Sequence, residues 1–187
     1  MGWLGAFRRS AEAVPAELLY RSIVSQARQP GFYAVCGVED TPDGRWDLIA
    51  AHVVLVLRRL RRSPAETKAL SQALFDLMFA DMDQNLREMG VGDLAVGKRI
   101  KAMAKAFDGR LAAYDQALSD GDAEALRTAL RRNLYRKMQP EETQVAMIEA
   151  YLRREAERLD SESLTPLRAG RLTFGAPPLR PMDAVDA

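Results

Sequence analysis

One cysteine and one histidine stand among 187 residues. A lone thiol cannot close an internal disulfide, and it excludes any multi-cysteine zinc or iron–sulfur site. A lone imidazole excludes a two-histidine zinc motif, so neither a metal nor a cofactor is expected. The most apolar run, residues 48–57, falls far short of the roughly 20 residues needed to span a bilayer. Excess charge is lacking too. With 27 Lys+Arg against 26 Asp+Glu the net is +1, without the broad basic footprint of a dedicated DNA binder. No glycine-rich phosphate loop, catalytic triad signature or paired-carboxylate motif accompanies the two singlets. Cys36 lies in an apolar context with no flanking cation to lower its pKa, and His52 lies inside the most apolar segment. A buried, hydrogen-bonded histidine fits that setting better than a base paired with Cys36, so no enzyme is expected.

What is present is 48% hydrophobic and 28% charged, the composition of a soluble globular chain from a reducing compartment. Charge alternates along it. Residues 1–62 carry nine basic and six acidic side chains and residues 63–97 two and six; residues 98–137 carry ten and five, and residues 138–187 six and nine. That segmental pattern matters more for partners than the total does.

The apolar spacing is helical from about residue 15 to about residue 160. Pro15 can open a first helix, with Leu18, Leu19, Ile23 and Val24 inward, and Gln29-Pro30-Gly31 ends it. Residues 48–57 do not alternate and are flanked by arginines, which predicts a buried helix rather than a strand. Ser63-Pro64-Ala65-Glu66 reads as a capping box opening a helix that stops at Gly90. Leu70, Leu74, Leu77 and Met78 form one stripe on it, and Phe75, Phe79, Met82, Leu86 and Met89 an adjoining one. Together they predict the central helix of the bundle. Asp93 caps a fourth helix with the seam Val96, Ile100, Met103, Phe107, Leu111, Tyr114 and Leu118. A fifth buries Leu126, Leu130 and Leu134, and a sixth runs from Glu141 to about Leu159. Prolines and glycines then break the periodicity. The expectation is an all-α single bundle of about six helices spanning 15–160, with an amphipathic segment at 1–14 and an extended or partly disordered tail at 161–187.

Several constellations admit two readings. Asp81 lies in line with an apolar stripe, where it caps a neighbouring helix start, pairs with a nearby cation, or forms the acidic floor of a partner groove. Asp81-Met82-Asp83-Gln84-Asn85 lacks the glycine and terminal glutamate of a calcium loop. Lys98, Lys101 and Lys105 share one face, either simply solvated or a dock for ribosomal RNA or anionic lipid. Arg127, Arg131, Arg132 and Arg136 surround a Tyr135 placed facing outward, a polyanion or protein contact patch. Trp3, Leu4, Phe7, Arg8 and Arg9 staple onto the bundle or touch a membrane interface.

The run Asp81-Met82-Asp83, then Leu86-Arg87-Glu88-Met89-Gly90-Val91-Gly92-Asp93, then Val96-Gly97-Lys98-Arg99-Ile100-Lys101, resembles the ubiquinol–cytochrome c chaperone family. Leu19-Tyr20-Arg21, Gln29-Pro30-Gly31-Phe32-Tyr33, Asp43-Gly44-Arg45-Trp46-Asp47, His52 with Leu57-Arg58-Arg59-Leu60, and Asn133-Leu134-Tyr135 extend the likeness over about residues 18–153. The resemblance implies an all-helical, non-enzymatic chaperone that binds newly made cytochrome b and assists biogenesis of the respiratory cytochrome bc complex. Mitochondrial members act at the ribosomal tunnel exit. The early start of the similar region suggests the alphaproteobacterial type, cytoplasmic or peripheral on the inner face of the cytoplasmic membrane. A holder of emerging membrane helices needs an apolar groove with a charged rim. Phe75, Phe79 and Met82 are expected to flank it, with Asp81, Asp83, Lys98 and Lys101 on the rim. The alternative is a polyanion-binding peripheral protein that contacts ribosome or membrane through Lys105, Arg127, Arg131, Arg132, Tyr135 and Arg136.

Overall fold

The computed structural model describes residues 11–136 and 138–179. Among them are eight helices: α1 (Ala13–Ala27), α2 (Pro30–Ala34), α3 (Pro42–Arg61), α4 (Pro64–Glu88), α5 (Asp93–Asp120), α6 (Ala123–Leu130), α7 (Glu142–Ser161) and α8 (Leu164–Arg168). A single π-helical turn, Arg131–Tyr135, extends α6. The described residues contain no strand, and none of their helices is long and apolar enough to cross a membrane. The all-α expectation holds. Sequence spacing passes over the two five-residue helices, which are too short to repeat a period.

The centre of the bundle is α3, not α4. Fifteen of its twenty residues are buried, and α1, α4, α5, α7 and the π turn all pack on it. It starts cleanly: Pro42 takes the first turn, where its missing N–H costs nothing, and Thr41 Oγ accepts from the Gly44 N–H at 3.2 Å. Arg58, Arg59 and Arg61 end it, favourably placed for the helix dipole. Burying each of Leu48, Leu55 and Leu57, all nearly inaccessible, contributes roughly 1.5–3 kcal/mol. Burial on α4 does not follow its two apolar stripes. Leu70, Leu74 and Met78 of the first and Phe79 and Leu86 of the second are buried, whereas Leu77, Phe75 and Met82 are only partly covered and Met89 is exposed.

Helix ends depart from expectation in two places. Ser63 makes no side-chain cap; the Glu66 N–H donates to the Ser63 carbonyl, and Thr67 Oγ donates to the Leu60 and Ser63 carbonyls. Glu66 turns instead to Arg168 at 2.7 Å. Gly92, not Asp93, is the cap of α5, and Asp93 in its first turn pairs with Arg87. A reciprocal capping box does form before α7, where the Glu141 N–H donates to Gln144 Oε1 at 2.9 Å.

After α8 the chain runs extended back across α1 and α7. Gln26 Nε2 donates to the Gly175 carbonyl (2.9 Å), the Gly175 N–H to Glu155 Oε2 (3.0 Å), and Arg154 Nη2 to the Ala176 carbonyl (2.7 Å). At Gly31 the strap passes so near that a Cβ would lie 2.4 Å from the Pro178 carbonyl oxygen.

Candidate functional site

Cys36 is buried, and burial alone pushes its thiol up to about 12, which removes it as a nucleophile. His52 is inaccessible and both ring nitrogens are engaged. Nδ1 donates to the Leu48 carbonyl (2.8 Å), so Nε2 accepts from the Tyr151 hydroxyl (2.9 Å), which itself accepts from Gln26 Nε2. Phe32 and Phe174 stand edge-on to the ring at 5.4 and 5.1 Å. Burial drives the His52 pKa down to about 4. The sequence reading of His52 as a satisfied core residue is what the structure shows.

Two open clefts flank the second half of α4. A cleft of about 610 Å³ lies between α3, α4 and α5, within the size range of ligand pockets. Trp46, Ile49, Met82, Leu86, Met89 and Met103 give it an apolar lining, and Arg28, Arg45, Arg99 and Arg136 a basic border. Asp81 and Asp43 are its carboxylates. On the other side of α4 a second cleft of about 660 Å³ is lined by Tyr20, Leu77, Phe79 and Ile100, with Glu17, Asp83 and Arg87 among its charged residues. Asp81 belongs to both walls, and the Tyr20 hydroxyl donates to its Oδ2 at 2.7 Å. Burial first, then the charge of Asp81, holds that phenol far above the ordinary tyrosine range. Among the described residues Asp81 thus caps no helix and meets no cation: its partner is a tyrosine hydroxyl, and it lines both clefts.

The expected groove residues are not all brought together. Met82 and Asp81 line the first cleft; Phe79, Asp81 and Asp83 line the second. Phe79 is nearly buried, tilted against Phe75 at 4.8 Å and edge-on to Phe107 at 6.1 Å. Phe75 opens onto a smaller depression beside Arg61, Lys68 and Asp108. Lys98 and Lys101 line neither cleft and are exposed.

Beneath the first cleft lies a polar cluster that sequence reasoning missed. Arg110 and Asp47, both buried, meet at 2.6 Å. Arg136 approaches the same carboxylate at 3.2 Å and Asp43 at 3.0 Å. The Arg110 guanidinium carbon sits 4.6 Å above the Trp46 ring, a stacking that suits the planar cation. Burial raises the Asp47 carboxyl against the pull of Arg110 and then Arg136. Arg110 stands 63 positions from Asp47, so only a carboxylate placed directly before the most apolar run could have signalled it.

The expected polyanion patch breaks up. Tyr135 does not face outward: it is buried, its hydroxyl donating to the Cys36 carbonyl at 2.8 Å. Arg131 pairs with Glu142, Arg127 reaches Glu124 and Glu149, and Arg136 turns to Asp43 and Asp47. Arg132 and Lys105 remain exposed with no ion pair among the described residues. Trp3, Leu4, Phe7, Arg8 and Arg9 lie outside the described residues.

Comparison with known proteins adds a family signal. The sequence profile of the ubiquinol–cytochrome C chaperone family matches residues 34–174. Ubiquinol–cytochrome c reductase complex assembly factor 1 of Mus musculus is 24% identical over 163 residues, covering 86% of this chain and 55% of its own. The Homo sapiens protein of that name is likewise 24% identical over 163 residues, with 86% and 54% covered. The Xenopus laevis protein is 22% identical over 148 residues, covering 79% and 74%. The chain thus spans about half the length of the mouse and human relatives. The crystal structure of the Cbp3 homolog from Brucella abortus matches with a TM-score of 0.80 and 36% identity, covering 92% of this chain and 96% of that one.

Proposed function

The chain belongs to the ubiquinol–cytochrome c chaperone family, and from that membership we propose that it is an assembly chaperone for the respiratory cytochrome bc complex, holding newly made cytochrome b. The names of its relatives support the complex; the client follows from the family resemblance. The observation that carries the reading is the cleft between α3, α4 and α5. Three methionines, Met82, Met89 and Met103, lie there with Trp46, Ile49 and Leu86. Methionine has an unbranched, polarizable side chain that conforms to partners of different shape, and an apolar trough with a charged border suits an amphipathic or membrane-destined helix. Binding, not bond-making, is the chemistry available: Cys36 and His52 are buried and committed to structural contacts.

Photo-crosslinking in cells that assemble the complex tests this. A photoreactive residue at Met82, Leu86 or Met103 should yield adducts with newly made cytochrome b, and one at Phe79 or Asp83 tests the second cleft. No cytochrome b adduct from any of these positions would sink the assignment of the site. Loss of the cytochrome bc complex on deletion, with other respiratory complexes intact, tests the function apart from the site.

A further inference from the structure

The face of α5 turned away from the bundle carries a line of residues that takes no part in the fold. Leu94, Lys98, Lys101 and Lys105 recur at i, i+4, i+7 and i+11, within roughly 40° of one line on the helix. The line lies opposite the seam of Val96, Ile100, Met103 and Phe107. Leu94 is 96% exposed, the most exposed large apolar side chain among the described residues, and Met89 at the same hairpin is 54% exposed. Lys98, Lys101 and Lys105 are exposed and have no ion pair among the described residues; Asp93 beside Leu94 is taken by Arg87, and the next carboxylate along the line is Asp108. Among the described residues none crowds this face at Gly97, next to the line, where a Cβ would meet no atom within 4 Å. From Leu94 to Lys105 the line runs for about 16 Å at the helical rise.

We infer that this face of α5 docks flat on an anionic lipid bilayer, Leu94 entering the headgroup region while Lys98, Lys101 and Lys105 reach the phosphates. Three unpaired ammonium groups in register complement a negatively charged surface. The leucine at their end decides between polyanions: a phosphate backbone offers a bare leucine no apolar contact, whereas a bilayer interface does. Long lysine stems let the charges reach headgroups while the helix rests at the boundary. This docking does not depend on which client the clefts hold.

The test uses the full chain carrying Leu94→Cys labelled with a polarity-sensitive fluorophore; Cys36, buried under Tyr135, stays unlabelled. Vesicles of equimolar phosphatidylglycerol and phosphatidylcholine should brighten and blue-shift the label, and phosphatidylcholine alone should not. In the unlabelled protein, neutralising the three lysines (Lys98→Gln, Lys101→Gln, Lys105→Gln) should weaken sedimentation with the mixed vesicles roughly 100-fold at low salt, about fivefold for each charge. Leu94→Ser should weaken it by about tenfold. The circular dichroism of these surface variants should match that of the parent. A label that stays in water while the protein sediments with vesicles would overturn the proposal, because another segment would then be making the contact. So would undiminished binding by the triple variant. Lysine-dependent binding to polyuridine RNA, without vesicle binding, would replace the lipid by a nucleic acid.

Discussion

His52 should make the protein lose stability as the pH falls from about 6.5 to about 4. In the folded state its pKa is held at about 4, chiefly because burial penalises the cation, while in the unfolded chain it titrates near 6.5. As acid is added, the unfolded state takes the proton first, so the stability present above about pH 6.5 is progressively lost down to about pH 4. Below that both states are protonated and this contribution stops changing. One pKa unit corresponds to about 1.36 kcal/mol, so the 2.5-unit gap predicts a loss of about 2.5 kcal/mol between pH 7.5 and pH 4.5. The geometry gives the reason. A proton on Nε2 would face the Tyr151 hydroxyl, which already accepts from Gln26, inside a box of aromatic rings closed by Phe32 and Phe174.

Wild-type denaturation alone would blur the effect. The raised carboxyl of Asp47 has the opposite sign: the folded state keeps its proton longer, so that group favours the fold more as pH falls from about 7 towards 4. The comparison is therefore with His52→Gln, by urea denaturation at pH 7.5, 5.5 and 4.5. The variant should be less stable at pH 7.5, and its deficit should shrink by about 2.5 kcal/mol at pH 4.5. Because the chain has one histidine, its imidazole resonances report the folded pKa without assignment by mutation. An imidazole titrating near 6.5 in the native protein, or parallel stability profiles for the two proteins, would refute the reasoning.

Three further outcomes follow from the structure. Arg110→Ala should cost about 3–5 kcal/mol in chemical denaturation by leaving the Asp47 carboxylate buried with only Arg136, and Asp47→Leu with Arg110→Met should recover most of it; a cost under about 1 kcal/mol would contradict the buried pair. Cys36 should resist thiol reagents at pH 8 until denaturant is added, and Cys36→Ala should leave assembly of the complex intact; reaction in the native protein would show that the site opens. Gly31→Ala should detach the strap, because its Cβ would collide with backbone at Pro178. Proteolysis after Phe174 and a His52 pKa moving up towards 6.5 would report that release, and unchanged values for both would argue against it.

How far the sequence could be read depended on whether a helix kept its period. The seam from Val96 to Leu118 and the inward set Val145, Ile148 and Leu152 are regular, and the structure buries or half-buries each of them. The arginine–tyrosine patch failed at one point. From Arg131 the chain makes an i→i+5 turn, with the Arg136 N–H donating to the Arg131 carbonyl at 3.0 Å. That wider turn rotates the next residues out of a 100° phase, carrying Tyr135 under Cys36, and a φ of 48° at Arg136 sends that side chain to Asp43 and Asp47. The clefts were half legible: the second apolar stripe of α4 pointed to a surface, but which side Met82 and Phe79 would face depends on α1, α3 and α5 packing around it.

Residue type separates most of the basic side chains of 98–137 in a way that charge counting cannot, Arg99 and Arg132 being exposed arginines without an ion pair among the described residues. Arg110, Arg127, Arg131 and Arg136 all bind carboxylates of the same chain, two of them the buried Asp47 and Glu149. Lys98, Lys101 and Lys105 bind none among the described residues. A guanidinium offers a flat fork of donors that pairs with carboxylates and tolerates partial burial, whereas an ammonium holds its water and stays at the surface. The positive charge of this segment therefore falls mainly into two populations among the described residues: arginines that tie α5, α6 and the π turn to α3 and α7, and lysines without an ion pair on α5. With four arginines committed to carboxylates, the free positive charge lies mainly on α5, in the lysine line beginning at Leu94 and in Arg99, and the arginine-rich turn, where the sequence placed its strongest patch, keeps only Arg132 exposed without an ion pair among the described residues.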